Sequence, residues 1–171
     1  MRIFLIGFMG TGKSHWGKIW ASQHNLKFID LDLEVEKKTG LSVDEIFEKK
    51  GEDFFRNAEA KTLMEMEQYD NCIIACGGGT PCFKNNMDWM NNNGLTILLN
   101  STPSKILENI INDNKERPLL KKINKGELLF FIEMKLKERI EFYNKAKVQL
   151  QAFELNSTSI DAILNINQPV K

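Results

Sequence analysis

Eight residues near the start of the chain, Gly7-Phe-Met-Gly-Thr-Gly12-Lys13-Ser14, satisfy G-x-x-x-x-G-K-[ST] without a mismatch. In such a loop the glycines let backbone N–H groups turn inward around phosphate oxygens, and the following helix adds a favourable N-terminal dipole. Lys13 is suited to reach β- and γ-phosphates, and the Ser14 hydroxyl to ligate Mg²⁺. A chance glycine turn is the alternative. The loop's position between a short apolar run and a helical pattern argues against it. Gly10, Thr11, Gly12, Lys13, Ser14 and His15 are therefore the candidate nucleotide contacts.

The remaining chemistry lies further along the chain. Asp30 and Asp32 follow a second predicted strand. Asp30 could reach a hydrated Mg²⁺, and Asp32 could accept the proton of an attacking hydroxyl or orient it; either could instead cap the next helix. In GEDFFRNAE, Arg56 and Glu59 stand at i, i+3. They are either a solvated pair or, beside Phe54 and Phe55, an arginine held at an apolar wall to clamp a carboxylate. Gly77-Gly78-Gly79 offers backbone N–H groups at the end of a third strand, and as a plain loop would be an entropically poor choice. Arg117, in RPLL, sits in a polar stretch over about 112–125 where a mobile lid could fold across phosphates. Arg139, in ERIEFYNKA, is either a solvated helix charge or a member of the site.

These residues need elements to position them. Residues 1–6 read as a strand buried on both faces, and 13–24 as a helix with Trp16, Ile19 and Trp20 at helical spacing. Phe28-Ile29 is a short strand, and 34–38 a helix stopped by Gly40. Ser42-Val-Asp-Glu45 is a capping box. A helical pattern over 52–68 places Phe54, Phe55, Ala58, Leu63 and Met66 on its apolar face. CIIAC at 72–76 and LTILL at 95–99 are strands, separated by a helix over 84–92 with Gly94 as its C-cap. Ser101-Thr102-Pro103 starts a helix carrying Ile106, Leu107, Ile110 and Ile111. Helices at 127–144 and 160–166 flank a fifth strand at 147–155. Alternating short strands and helices predict an α/β fold, a three-layer α/β/α sandwich with a five-stranded parallel sheet. Its ligands belong at the carboxyl ends of the strands.

Composition narrows the setting. A chain of 171 residues is expected to form one domain, 1–171, and 42% hydrophobic with 27% charged content excludes disordered and low-complexity classes. Balanced charge, 23 Lys+Arg against 23 Asp+Glu, argues against a nucleic-acid partner, which needs a basic face. Cys72, Cys76 and Cys82 follow no zinc or redox spacing and read as reduced thiols. No stretch approaches the roughly 18 apolar residues of a membrane span. The protein is expected to be soluble and cytoplasmic, without a membrane partner, and a monomer.

Taken in order, GFMGTGKS, FIDLD, GEDFFRNAE, CGGG, RPLL and ERIEFYNKA resemble the shikimate kinases, of the nucleoside-monophosphate-kinase-like P-loop class, over about residues 2–155. The resemblance implies a P-loop kinase fold with a mobile lid at about 112–125. It implies ATP-dependent phosphorylation of the shikimate 3-hydroxyl, giving shikimate 3-phosphate and ADP in chorismate and aromatic amino-acid biosynthesis, with Mg²⁺ as cofactor. By the same likeness Asp32 holds and helps activate the ring hydroxyls, Arg56 and Arg139 grip the carboxylate, and Gly78 binds the ring, with Gly77 and Gly79 beside it. Arg117 closes over the nucleotide, and Phe47 and Phe55 line the ring pocket. Lys13, Asp32 and Arg117 are thereby the catalytic candidates, with Ser14 and, through water, Asp30 toward the metal. Two positions depart from the family pattern. His15 stands where a second hydroxyl residue usually follows Ser14, and Ile110 stands where many members carry an arginine against adenine. Both concern the nucleotide and not the acceptor. The rival readings are a gluconate-type small-acid kinase, a nucleoside-monophosphate kinase and a non-catalytic nucleotide-binding module. The first is disfavoured by F-R-x-x-E together with R-P-L-L, the last by the presence of Lys13, Asp32 and Arg117.

Overall fold

The apolar run at the start of the chain becomes strand β1 (Arg2–Ile6), whose Ile3, Phe4, Leu5 and Ile6 are all fully buried. In this computed structural model residues 1–113, 120 and 123–166 are described. After β1 come α1 (Lys13–Gln23), β2 (Lys27–Asp30), α2 (Leu31–Thr39), α3 (Val43–Lys49), α4 (Glu52–Met64) and β3 (Cys72–Ala75). Then follow α5 (Asn86–Asn93), β4 (Leu95–Asn100), α6 (Pro103–Asn112), α7 (Leu128–Tyr143), β5 (Val148–Gln151) and α8 (Asp161–Ile166).

The five strands lie in the order β2-β3-β1-β4-β5, and each neighbouring pair is parallel. Strand periodicity of two sorts the side chains onto two faces. Ile3 and Leu5 join Ile73, Ile97 and Leu99 against Trp20 of α1 and Leu164 of α8. Phe4 and Ile6 join Ile74 and Leu98 against Leu63 of α4, Met87 and Met90 of α5, and Tyr143 of α7. Helices thus cover both faces, as a parallel sheet of continuous apolar strands demands. Two smaller clusters build the ends. Phe8, Ile106, Ile110 and Ile132 pack α6 and α7 against the loop after β1, and Val35, Ile46 and Phe55 join α2, α3 and α4.

The chain moves to one side of β1 for β2 and β3, then crosses to the other side for β4 and β5. The loops leaving β1 and β3 therefore start side by side at the carboxyl edge. That reversal of strand order is where open α/β sheets bind ligands.

Local chemistry sets most boundaries. Ser42 and Glu45 form a reciprocal capping box at α3, and Thr102 caps α6 with Pro103 in its first turn. Four expectations need correction. The second helix begins at Leu31 rather than 34, because the Asp30 side chain accepts from Asp32 N and starts it earlier. Gly94 is no left-handed cap: its φ is −179°, ordinary extended backbone. What it supplies is space, since a Cβ there would lie 2.6 Å from Arg2 O and 2.8 Å from the Phe4 ring. The fifth strand stops at Gln151 and turns. On α4, Phe54 is 44% exposed, and the buried face is built instead from Phe55, Arg56, Glu59 and Leu63. Among the described residues no helix is long and apolar enough to cross a membrane.

Candidate active site

The loop from β1 to α1 is held in shape by its own polar atoms and by α6. Gly10 and Gly12 have φ of 81° and 87°, a left-handed backbone that a side chain would strain. The Thr11 hydroxyl is buried and donates to Phe8 O at 2.9 Å, so it braces the loop instead of lining the cavity above it. Asn109 of α6 donates from Nδ2 to Gly10 O at 2.8 Å. Lys13 Nζ lies across the loop, donating to Gly7 O at 2.7 Å and Phe8 O at 2.8 Å. An ammonium held over main-chain carbonyls at a helix N-terminus is a ready partner for phosphate oxygens.

A cavity of about 310 Å³ opens above this loop. Gly10, Gly12, Lys13, Ser14 and His15 form one wall, Asp30, Asp32, Cys76, Gly77 and Gly78 another, and Asn109 of α6 with Asp113 just after it close a side. Ser14 Oγ donates to Asp30 Oδ2 at 2.9 Å, while Asp30 Oδ1 accepts from Asp32 N at 3.2 Å. The capping reading of Asp30 holds, and its second oxygen faces the loop serine. A hydroxyl beside a carboxylate is a hard oxygen donor set, which suits Mg²⁺. His15 is exposed at the lip, its ring edge-on to Trp16 at 5.0 Å. Ile110 turns inward to the cluster around Phe8, close against Gly10.

The glycines after β3 organise the rest. None of Gly77, Gly78 and Gly79 has a positive φ, so the backbone does not need glycine for its conformation. It needs glycine for room. A Cβ on Gly77 would lie 2.6 Å from Glu59 Oε1 and 3.2 Å from Asp32 Oδ1; on Gly78, 3.2 Å from Arg139 Nη1; on Gly79, 2.6 Å from Arg56 Nη2. Each glycine thus accepts a different charged group at close range, and carboxylates and arginines from α2, α4 and α7 converge on one backbone turn.

Arg56 is 8% exposed and donates from Nη1 to Glu59 Oε2 at 2.7 Å. Its guanidinium also lies over the Phe55 ring at 5.1 Å, and that ring meets Phe47 at 5.1 Å. The pair is buried, not solvated. Arg139, also 8% exposed, stacks over the Phe8 ring at 5.2 Å, and its buried Nη1 has no hydrogen-bond partner among the described residues. One turn on, Tyr143 donates its hydroxyl to Gly78 O at 2.7 Å; burial pushes this phenol well up, so it stays a donor. Arg56, Gly79 and Arg139 do not line the loop cavity but gather beside it around the same turn. Burial raises the Cys76 thiol well above its ordinary value, and the Glu59 carboxylate adds to this, which keeps it protonated and inert on the cavity wall. Arg117 lies outside the described residues, with Pro118 and Leu119 of the same motif.

Phe8, Asn109 and Thr80 were missed as members of this site. Phe8 fills a variable position of the loop pattern, where only its aromatic bulk beside glycines was a signal. Asn109 lies on a helix whose sequence pattern is dominated by its apolar residues, and nothing local marks its reach to Gly10. Thr80 follows three glycines and looks like loop.

A parallel sheet ordered β2-β3-β1-β4-β5, with a phosphate loop on its central strand, defines a P-loop kinase fold. The sequence matches the shikimate kinase family profile over residues 9–166. A shikimate kinase of Phocaeicola vulgatus is 42% identical, across 90% of this chain and 88% of its own. The crystal structure of shikimate kinase from Bacteroides thetaiotaomicron superimposes with a TM-score of 0.90 at 36% identity, covering 97% of each chain. That of shikimate kinase from Acinetobacter baumannii in complex with shikimate gives 0.84 at 30% identity, covering 98% of this chain and 95% of that one. The chain belongs to the shikimate kinase family.

Proposed function

We propose that the protein transfers the γ-phosphoryl group of ATP to the 3-hydroxyl of shikimate, releasing ADP and shikimate 3-phosphate. The observation that carries this reading is the turn at Gly77–Gly79, which gathers Asp32, Arg139 and Arg56 beside the cavity of the phosphate loop. Shikimate is a small ring acid with one charge, its carboxylate, and several hydroxyls. Two buried guanidiniums for one carboxylate, with a separate carboxylate toward the hydroxyls, match that distribution.

In this reading Lys13 and the N-terminus of α1 bind the β- and γ-phosphates. Ser14 and, through water, Asp30 would hold Mg²⁺, which when bound neutralises charge on the phosphates. Asp32 orients the attacking hydroxyl and accepts its proton as the oxygen bonds to the γ-phosphorus and the β–γ bridging bond breaks. Because such transition states are loose, orientation is the larger part of that role. Arg56 and Arg139 fix the substrate by its carboxylate, with Gly78 against the ring and Phe47 and Phe55 beside it. Arg117 closes over the nucleotide and stabilises the transferring charge.

The direct test is MgATP-dependent ADP release with shikimate, gluconate and AMP as acceptors. Turnover with shikimate alone is the expected result; turnover with gluconate or AMP instead sinks the acceptor assignment. The clamp has its own expectation. Arg139→Ala should raise the shikimate KM by about 10- to 100-fold with kcat little changed, as loss of a charge-assisted contact common to ground and transition states does. The ATP KM should not move, and an unchanged shikimate KM would remove Arg139 from the site.

A further inference from the structure

Glu59 has no exposed surface, and both of its carboxylate oxygens are engaged. Oε2 accepts from Arg56 Nη1 at 2.7 Å, and Oε1 accepts from the Thr80 hydroxyl at 2.6 Å. Thr80 is itself fully buried and anchored on both sides: its N–H donates to Gly77 O at 3.1 Å, and its carbonyl accepts from Asn86 Nδ2 at 2.9 Å. A continuous polar chain therefore runs from α5 through the turn after β3 to α4, ending at the guanidinium over Gly79.

We propose that Thr80 is a positioning residue for the acceptor site, its hydroxyl locking the Glu59 carboxylate in the rotation that aims Arg56. The terminal torsion of a glutamate is broad and close to two-fold, so a carboxylate held by one oxygen alone can swing. Holding the second oxygen from a rigid turn removes that freedom, and with it the play in the arginine that the carboxylate holds. In this region no water can easily take over, because Thr80 and Glu59 are both fully enclosed. The proposal rests on the reading of Arg56 as a partner of the substrate carboxylate.

The test uses two variants of the full chain, assayed with MgATP and varied shikimate, with thermal melting run alongside. Thr80→Val keeps the shape and removes the donor. It should raise the shikimate KM about tenfold, the loss that a disordered charge-assisted contact brings, with kcat and the ATP KM within about twofold. Thr80→Ser restores the hydroxyl and should return the shikimate KM to near its original value. A hydroxyl that served only stability would lower the melting temperature of Thr80→Val and leave its shikimate KM unchanged, which overturns the proposal. So does a tenfold rise in the Thr80→Ser KM, which can be read even if Thr80→Val yields no folded protein. Failure of the underlying reading looks different: the unmodified protein then turns over another acid and not shikimate. In that event the comparison of the two variants is made on the KM of that acid.

Discussion

Replacing Lys13 by methionine should lower kcat by about 10²- to 10³-fold, the loss that follows removal of a single donor to transferring charge. The side chain is chosen to keep the aliphatic stem and delete only the ammonium. In the structure that ammonium donates to Gly7 O and Phe8 O, so the loop carries its own internal place for it. Both contacts are only partly buried, and their loss should change the melting temperature little. The charge matters most when negative charge spreads over the γ-phosphoryl oxygens, which is why the effect falls on kcat. Shikimate binding by direct titration should be retained, since the arginines lie around another turn. A variant that keeps full turnover would show that this loop does not cradle the transferring phosphate.

The second large effect is on stability. Glu59→Ala should cost about 3–5 kcal/mol, because it leaves the Arg56 guanidinium buried without its main counterion. For a chain of this length that corresponds to roughly 6–20 °C in Tm, measurable by calorimetry. Glu52 also reaches Arg56 at 3.3 Å, but its side chain is 51% exposed and its attraction is screened. An exposed pair such as Lys105–Glu108 offers the control: the same substitution there should cost no more than about 1 kcal/mol. A Glu59→Ala loss as small as that control would show that solvent reaches the Arg56 pair after all. The same variant should bind shikimate poorly, since an arginine without its counterion has no fixed direction.

These two sites were legible to different degrees, and the reason is distance along the chain. The phosphate loop was plain because its whole chemistry sits in residues 7–14 and is written in local pattern. Asp30 could be read as cap or as metal-side carboxylate, and sequence had no means to show that one oxygen caps α2 while the other accepts from Ser14. For α4, helical period placed Phe54 inside, yet it stands exposed while Arg56 and Glu59 are buried. The buried Glu59 takes its second partner from the hydroxyl of Thr80, 21 residues further on, which no periodicity in 52–68 can announce. The glycines at 77–79 were read as donors of N–H groups, and the structure adds that they make room for groups arriving from three helices. The parallel sheet and its two covering layers were accessible because that architecture follows from the alternation of elements, whereas the strand order came only with the structure.

The register of β1 bears on how the protein comes to fold. Its partners are 70 and 92 positions further along at their nearest, Arg2 with Cys72 and Ile3 with Leu95. During synthesis the apolar segment at residues 2–6 therefore emerges with nothing to pair with. It must wait until both β3 and β4 have left the ribosome. Contacts of such sequence separation are slow to form, and unpaired apolar strands are the ones that aggregate or engage chaperones meanwhile. The phosphate loop continues directly from that strand, so the nucleotide site can take shape only once the second neighbour of β1 is in place. Nascent chains halted before residue 95 should therefore lack an ordered centre to the sheet, however complete the loop motif they already carry.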